Sequence, residues 1–195
     1  MKTKDTGPLE QFVRLVSPLK DIEMDSFLAA WQPFECKRKT MLTTAGETER
    51  YLYFVLEGVQ RAFFLGKDQQ EATIVFTYPP SFSGVADSFL TQTPSRFFLE
   101  TLTASRFLRT SWQQVEQLMN KHTAIQKMIL RLTAFAMKGV FERQIELQCF
   151  SAEERFRALL QRSPHVLQII PHKYLASYLG MDATTFSKLL GSVRL

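Results

Sequence analysis

Residue types able to do covalent or metal chemistry are scarce in this sequence. Its imidazoles are His122, His165 and His172, and its thiols are Cys36 and Cys149. The cysteines lie far apart, with no CxxC or CxxH spacing, and read as free thiols of a reducing compartment, a disulfide or redox role being the alternative. The histidines read as surface or capping residues. No activated serine, cysteine or carboxylate pair stands out, so an enzyme is not expected. The polar chemistry concentrates instead in the closing stretch, "HKYLASYLGMDATTFSKLLGSVRL". There Lys188 can donate to a guanine or to a phosphate, and Thr184, Thr185 and Ser187 can make either kind of contact. Lys173 and Arg194 add cations, and Asp182 adds a carboxylate.

These side chains need two short helices to hold them. Leu175, Ala176 and Leu179 fall on one face of a first helix, and Gly180 permits the left-handed backbone of a tight turn. Asp182 is placed to cap a second helix, which Phe186 and Leu189 bury against the first. This is the pattern of a helix-turn-helix, whose second helix enters the DNA major groove. An ordinary helical hairpin is the alternative. Charge bears on the choice. Residues 1–119 carry 13 Lys/Arg against 14 Asp/Glu, whereas residues 120–195 carry 11 against 5. A basic end of this kind faces nucleic acid or serves solubility.

The rest of the 195-residue chain is 45% hydrophobic and holds 17 phenylalanines, enough for a dense aromatic core. Residues 9–31 read as two amphipathic helices broken at Ser17-Pro18. From residue 34 short runs of Phe, Tyr, Val, Ile and Thr alternate with glycine turns, the texture of an all-β sandwich or barrel. "YLYFVLEG" and "VQRAFFLG" form the clearest hairpin, and "FFLETLTASRFLRTS" adds two strands. No histidine precedes His122, so these strands carry no cupin-like metal site. "SWQQVEQLMNKH" returns to helix, and residues 121–148 form one long helix. Its stripe of Ile125, Met128, Ile129, Leu132, Phe135, Ala136 and Gly139 packs on its own domain or pairs with a second copy. Residues 151–162 form a helix opened by a Ser151/Glu154 capping box, and "SPHVLQII" is expected to run extended. No apolar run is long enough to span a membrane and no signal-peptide core is present, so the expected compartment is the cytoplasm.

In this order the pieces resemble the cyclic-AMP receptor protein (Crp/Fnr) family, in particular its short Bacteroidetes members. The residues that carry the resemblance are "AGETERYLYFVLEGVQRAFF", "SFSGVADSFLTQTPSRFFLETL" and "HKYLASYLGMDATTFSKLL". It covers nearly the whole chain and rests on these segments in combination. The resemblance implies an α+β fold: an eight-stranded double-stranded β-helix, or cyclic-nucleotide-binding-like jelly roll, with flanking helices, a long dimerisation helix and a C-terminal helix-turn-helix. The expected domains are an effector domain at 1–119, the dimerisation helix at 120–148 and the DNA-binding domain at 149–195. The expected partners are double-stranded DNA, a second copy of the chain and RNA polymerase.

The resemblance places an effector pocket at Gly84, Val85, Asp87, Ser88, Ser95, Arg96 and Phe97. In cyclic-nucleotide binders of the family, an arginine neutralises the cyclic phosphate and a glutamate takes the ribose hydroxyl. This sequence keeps Gly84 and Arg96. It lacks the glutamate, and Ser95-Arg96 reverses the usual order, so cyclic AMP is not the expected ligand. Another small effector, or an empty roll with Arg96 on the surface, remains open. Two cysteines exclude the four-thiolate iron–sulfur branch, and no cofactor is expected. Leu190 stands where relatives carry a basic residue, and Gly191 weakens the helix. The expected function is a DNA-binding transcription regulator. The alternative is a sensor or scaffold that keeps the fold without sequence-specific DNA binding.

Overall fold

A computed structural model of the chain describes residues 5–192, which form two compact units. The first comprises residues up to 62 and residues 76–136; the second comprises residues 63–75 and the chain from 137 onward.

The first unit opens with α1 (Gly7–Val16) and α2 (Asp21–Ala29). Pro8 lies in the first turn of α1, where its missing N–H costs nothing. Leu9 and Val13, four residues apart, are its buried residues. The Glu23 side chain accepts from the Lys20 N–H at 2.9 Å and fixes the start of α2. Eight strands follow: β1 (Gln32–Cys36), β2 (Met41–Thr43), β3 (Tyr51–Glu57), β4 (Gln60–Leu65), β5 (Glu71–Thr77), β6 (Ser81–Ser83), β7 (Phe98–Thr101) and β8 (Ser105–Ser111). They form two four-stranded sheets, ordered β1-β8-β3-β6 and β2-β7-β4-β5. Between β6 and β7 lies α3 (Ala86–Thr91), in a polar stretch whose sequence gives no helical period.

The first sheet is covered on both faces, which is why β3 reads as a nearly unbroken apolar run. Phe54 and Leu108 are opposite one another on β3 and β8 and join Leu9, Val13, Phe27 and Trp31 in the core under the helices. Tyr53, Val55 and Phe107 point to the other face, the interior of the roll, where Phe34 and Leu42 meet them. After β8, α4 (Trp112–Lys121) starts at a Ser111/Gln114 capping box and buries Val115 and Leu118.

The long helix α5 runs Thr123–Cys149. The start of its stripe takes the first of the two expected places, its own domain. Ile125, Met128 and Ile129 are 0%, 1% and 8% exposed, because they join the core of the first unit, with Leu132 packed beside them. The large apolar side chains that α5 leaves exposed are Leu130, Phe135, Met137, Val140, Phe141, Ile145 and Leu147. Gly139 and Ala136 are exposed as well.

In the second unit α5 is followed by α6 (Ala152–Arg162), α7 (Val166–Ile169), α8 (His172–Leu179) and α9 (Ala183–Ser192). Ser151 and Glu154 form the expected capping box. "SPHVLQII" does not run extended. Val166 and Ile170 are both buried, and their spacing of four suits a helical turn, closed by the Ile170 N–H to the Val166 carbonyl at 2.9 Å. Phe156, Leu159, Leu160, Leu175, Leu179 and Phe186 complete the core. Beside it, Arg143 of α5 donates to Glu146 at 2.7 Å and to the Tyr178 carbonyl, and Arg162 of α6 donates to the same Glu146 carboxylate.

Candidate functional site

The helix pair closing the second unit is built by local chemistry. α8 ends at Gly180 with φ +61°. The Gly180 N–H donates to the Ser177 carbonyl and the Met181 N–H to the Ala176 carbonyl, both at 3.1 Å, which satisfies carbonyls the helix would leave bare. A Cβ on Gly180 would lie 2.9 Å from the Leu147 side chain. We expect Gly180→Ala to cost about 1–2 kcal/mol, chiefly from the left-handed backbone, read as a lowered urea midpoint of the second unit.

Asp182 opens α9. Its carboxylate accepts from the Thr185 N–H at 2.8 Å and from the Thr185 hydroxyl at 2.7 Å. These hydrogen bonds, the hydroxyl's first, hold Asp182 below the usual carboxylate range. Asp182 and the Thr185 hydroxyl are therefore engaged in capping. Phe186 is buried, edge-on to Phe156 with ring centroids 5.4 Å apart, so the opposite side of α9 faces outward. Thr184, Ser187 and Lys188 are exposed there, and Lys173 is exposed on α8. Leu189 is half-buried and Leu190 exposed. Arg194 lies outside the described residues.

The β4–β5 turn belongs to the same unit. Ser177 of α8 donates its hydroxyl to the Glu71 carbonyl at 3.1 Å and accepts from the Thr73 N–H at 3.0 Å.

In the first unit the expected effector residues fall into two groups. Val85, Ser88 and Ser95 are buried; Asp87 and Arg96 are exposed, with Gly84 and Phe97 between these extremes. Gly84 has φ +143°, and a Cβ there would lie 3.4 Å from the Tyr51 carbonyl. The buried hydroxyls serve the backbone. Ser88 accepts from the Glu49 N–H at 2.9 Å and donates to the Thr93 carbonyl at 2.6 Å. Ser95 donates to the Phe97 carbonyl at 2.8 Å and accepts from the Phe97 N–H at 2.9 Å.

One residue in this region escaped the sequence reading. Glu49 is 2% exposed. Its carboxylate accepts from the Thr43 hydroxyl, from the Tyr51 N–H at 3.2 Å and from the Val85 N–H at 3.3 Å. Burial pushes the carboxyl above its ordinary range, and these hydrogen bonds partly offset the push. Its sequence offers no signal, since Glu47 and Arg50 flank it in the same charged turn before β3.

The residues able to bind metals do not converge. Among the described residues no group of three or more His, Cys, Asp or Glu is arranged to hold a metal ion. Cys36 is half-buried and Cys149 exposed, both as free thiols, and burial pushes the Cys36 thiol up, which disfavours its thiolate. His172 packs on the Phe186 ring with centroids 5.3 Å apart. No helix among the described residues is long and apolar enough to cross a membrane.

With the roll and the helix pair in place, likenesses to known proteins can be set beside them: residues 33–122 match the cyclic nucleotide-binding domain family. The two sheets followed by the long helix and the closing helices also match solved structures. FixK2 from Bradyrhizobium japonicum has a TM-score of 0.74 at 16% identity, over 83% of each chain. The catabolite activator protein of Thermus thermophilus has a TM-score of 0.57 at 22% identity, over 93% of this chain and 89% of that one. The c-di-GMP responsive global regulator CLP of Xanthomonas campestris has a TM-score of 0.65 at 15% identity, over 88% of this chain and 90% of that one. At these identities the likeness is one of fold. No curated protein matches the sequence.

Proposed function

We propose that the chain is a dimeric, DNA-binding transcription regulator of the Crp/Fnr type, working in the cytoplasm, whose β-roll senses a small effector other than cyclic AMP. The observation that carries this reading is α9: a capped helix, buried through Phe186 and presenting Thr184, Ser187 and Lys188 outward. That is the arrangement a recognition helix needs, with its inner side anchored and its donors facing a groove. The fold shared with the catabolite activator protein and with CLP, an activator and a global regulator by name, supports it.

The arrangement around Gly84 argues against a cyclic nucleotide. Asp87 and Arg96 are exposed, and the Val85 N–H already donates to the buried Glu49 carboxylate. A cyclic phosphate brought to that segment would find this backbone donor already engaged by an acidic side chain. Dimerisation is assigned to the exposed face of α5. Leu130, Ala134, Met137, Phe141 and Ile145 recur at spacings of four and three, and all are exposed. A second copy covering them would hold two recognition helices at a fixed separation, as two half-sites one DNA turn apart require. Contact with RNA polymerase and catalytic inactivity belong to the same reading.

Selection from random duplexes with the full chain, at low and moderate salt, tests the reading. The expected result is a two-fold symmetric site. Lys188→Ala is expected to lose about 1–3 kcal/mol of binding to it and, if Lys188 contacts phosphate, to lower the salt slope by about one. The exposed Leu190, at 37%, favours the sensor or scaffold reading, and binding without any enriched sequence would establish that alternative.

A further inference from the structure

Arg109 is a charged residue turned into the roll. It follows Phe107 by two on β8, and so shares the inner face on which Phe107 meets Tyr53 and Val55. β8 lies between β1 and β3 in its sheet, and each neighbour contributes a ring. The Arg109 guanidinium carbon is 4.1 Å from the Phe34 ring centroid and 4.4 Å from that of Tyr51. These contacts hold the cation without neutralising it. Among the described residues, Arg109 makes no hydrogen bond or ion pair. A half-buried guanidinium keeps five N–H donors in a planar fork, suited to a carboxylate or phosphate.

The space beside it is a cavity of about 540 Å³ between β1, β2, β3 and β8, framed by Phe34, Leu42, Thr43, Tyr51, Tyr53 and Arg109. That volume lies within the range of small-molecule sites. Tyr53 is only 3% exposed, yet its hydroxyl has no hydrogen-bond partner among the described residues. A phenol hydroxyl that opens onto the cavity beside an unneutralised guanidinium supplies a second polar group for a ligand held there. Glu49 also lines the cavity, but its carboxylate is already met by Thr43, Tyr51 and Val85 and forms no ion pair with Arg109. Any charge it carries weighs twice as heavily against a dianion such as phosphate as against a single carboxylate held on the arginine.

We infer that this cavity binds a small organic monocarboxylate, with the carboxylate on the Arg109 fork and the Tyr53 hydroxyl and the apolar body against Phe34, Tyr51 and Leu42. For its regulatory role, though not for binding itself, the inference rests on the effector reading above.

Calorimetry and thermal denaturation of the full chain test it, with benzoate and hexanoate as probes and benzamide and inorganic phosphate as controls. Both carboxylates are expected to bind saturably and raise Tm; benzamide, of the same shape without the charge, and phosphate are not. Arg109→Gln is expected to weaken the carboxylates by about tenfold or more, with smaller losses for Arg109→Lys, which loses the fork, and for Tyr53→Phe. Should Arg109→Gln not fold, the latter two variants decide. Failure of both carboxylates to bind at tens of millimolar, equal binding of benzamide, or unchanged affinity in the variants overturns the site. DNA binding is then measured with and without saturating benzoate. A changed affinity supports the effector role; an unchanged one removes that role while the binding site stands. Loss of the site leaves the DNA-binding reading untouched.

Discussion

Glu146→Ala is expected to destabilise the second unit by about 3–5 kcal/mol, the cost of removing one partner from a buried charge cluster. Glu146 is 5% exposed and Arg143 8%. One carboxylate joins α5 to α6 through Arg162, while Arg143, its neighbour on α5, also reaches the Tyr178 carbonyl of α8. Without it two cations remain side by side, one of them buried. Denaturant unfolding reads the loss. Glu146→Gln keeps an acceptor oxygen and should lose less. Replacing the buried pair together, with Glu146→Leu and Arg143→Met, should recover part of the loss, since the desolvation cost of the charges goes with them. The pH dependence has a definite sign. Burial pushes Glu146 upward, but the hydrogen bonds from Arg162 and Arg143 outweigh it and hold the carboxyl below its ordinary value. A carboxyl depressed on folding contributes stability above its unfolded pKa and loses it as pH falls through the folded one. The wild type should therefore lose stability in acid more steeply than Glu146→Gln.

Phe141→Glu is expected to convert the proposed dimer to monomer, raising its dissociation constant by about a hundredfold or more, or about 3 kcal/mol. Phe141 is 59% exposed in the single chain, so its replacement should leave the Tm of isolated monomers nearly unchanged. Met128→Glu supplies the contrast. Met128 is 1% exposed within the core under the helices, and a buried charge there should lower stability whatever the oligomeric state. Light scattering across a concentration series, paired with thermal melts, separates the two outcomes.

α5 also shows how far sequence reading reaches. A period of three and four identifies a helix and an apolar stripe, but this helix carries two. The stripe through Ile125, Met128 and Ile129 is the more aliphatic in its first turns, and it is the one that packs on the β-roll core. Which stripe is taken depends on the roll's outer face, and nothing within α5 encodes that. The helix pair at the chain's end was legible because its determinants are local: Gly180 at the turn, Asp182 at the cap and Phe186 beneath. The β texture, the β3–β4 hairpin and the strands β7 and β8 were legible from their glycine turns and aromatic runs, whereas the count of eight came from the family resemblance and β6 lies in a polar stretch. Glu49 and Arg109 were not legible. They are sixty residues apart, and only the pairing of β3 with β8 brings Tyr51 and Tyr53 to Arg109. The short helices α3 and α7 are too brief to display a period.

Ser177 has a consequence beyond the helix that carries it. β5 is the outermost strand of its sheet, and such a strand offers outward N–H and C=O groups to any extended segment that comes near. The Glu71 carbonyl and the Thr73 N–H are one such pair, two residues apart, and a single hydroxyl engages both. In effect Ser177 imitates one residue of an absent neighbouring strand. It closes the rung on which strand-to-strand aggregation between molecules could begin, so its removal is a matter of solubility as well as of stability.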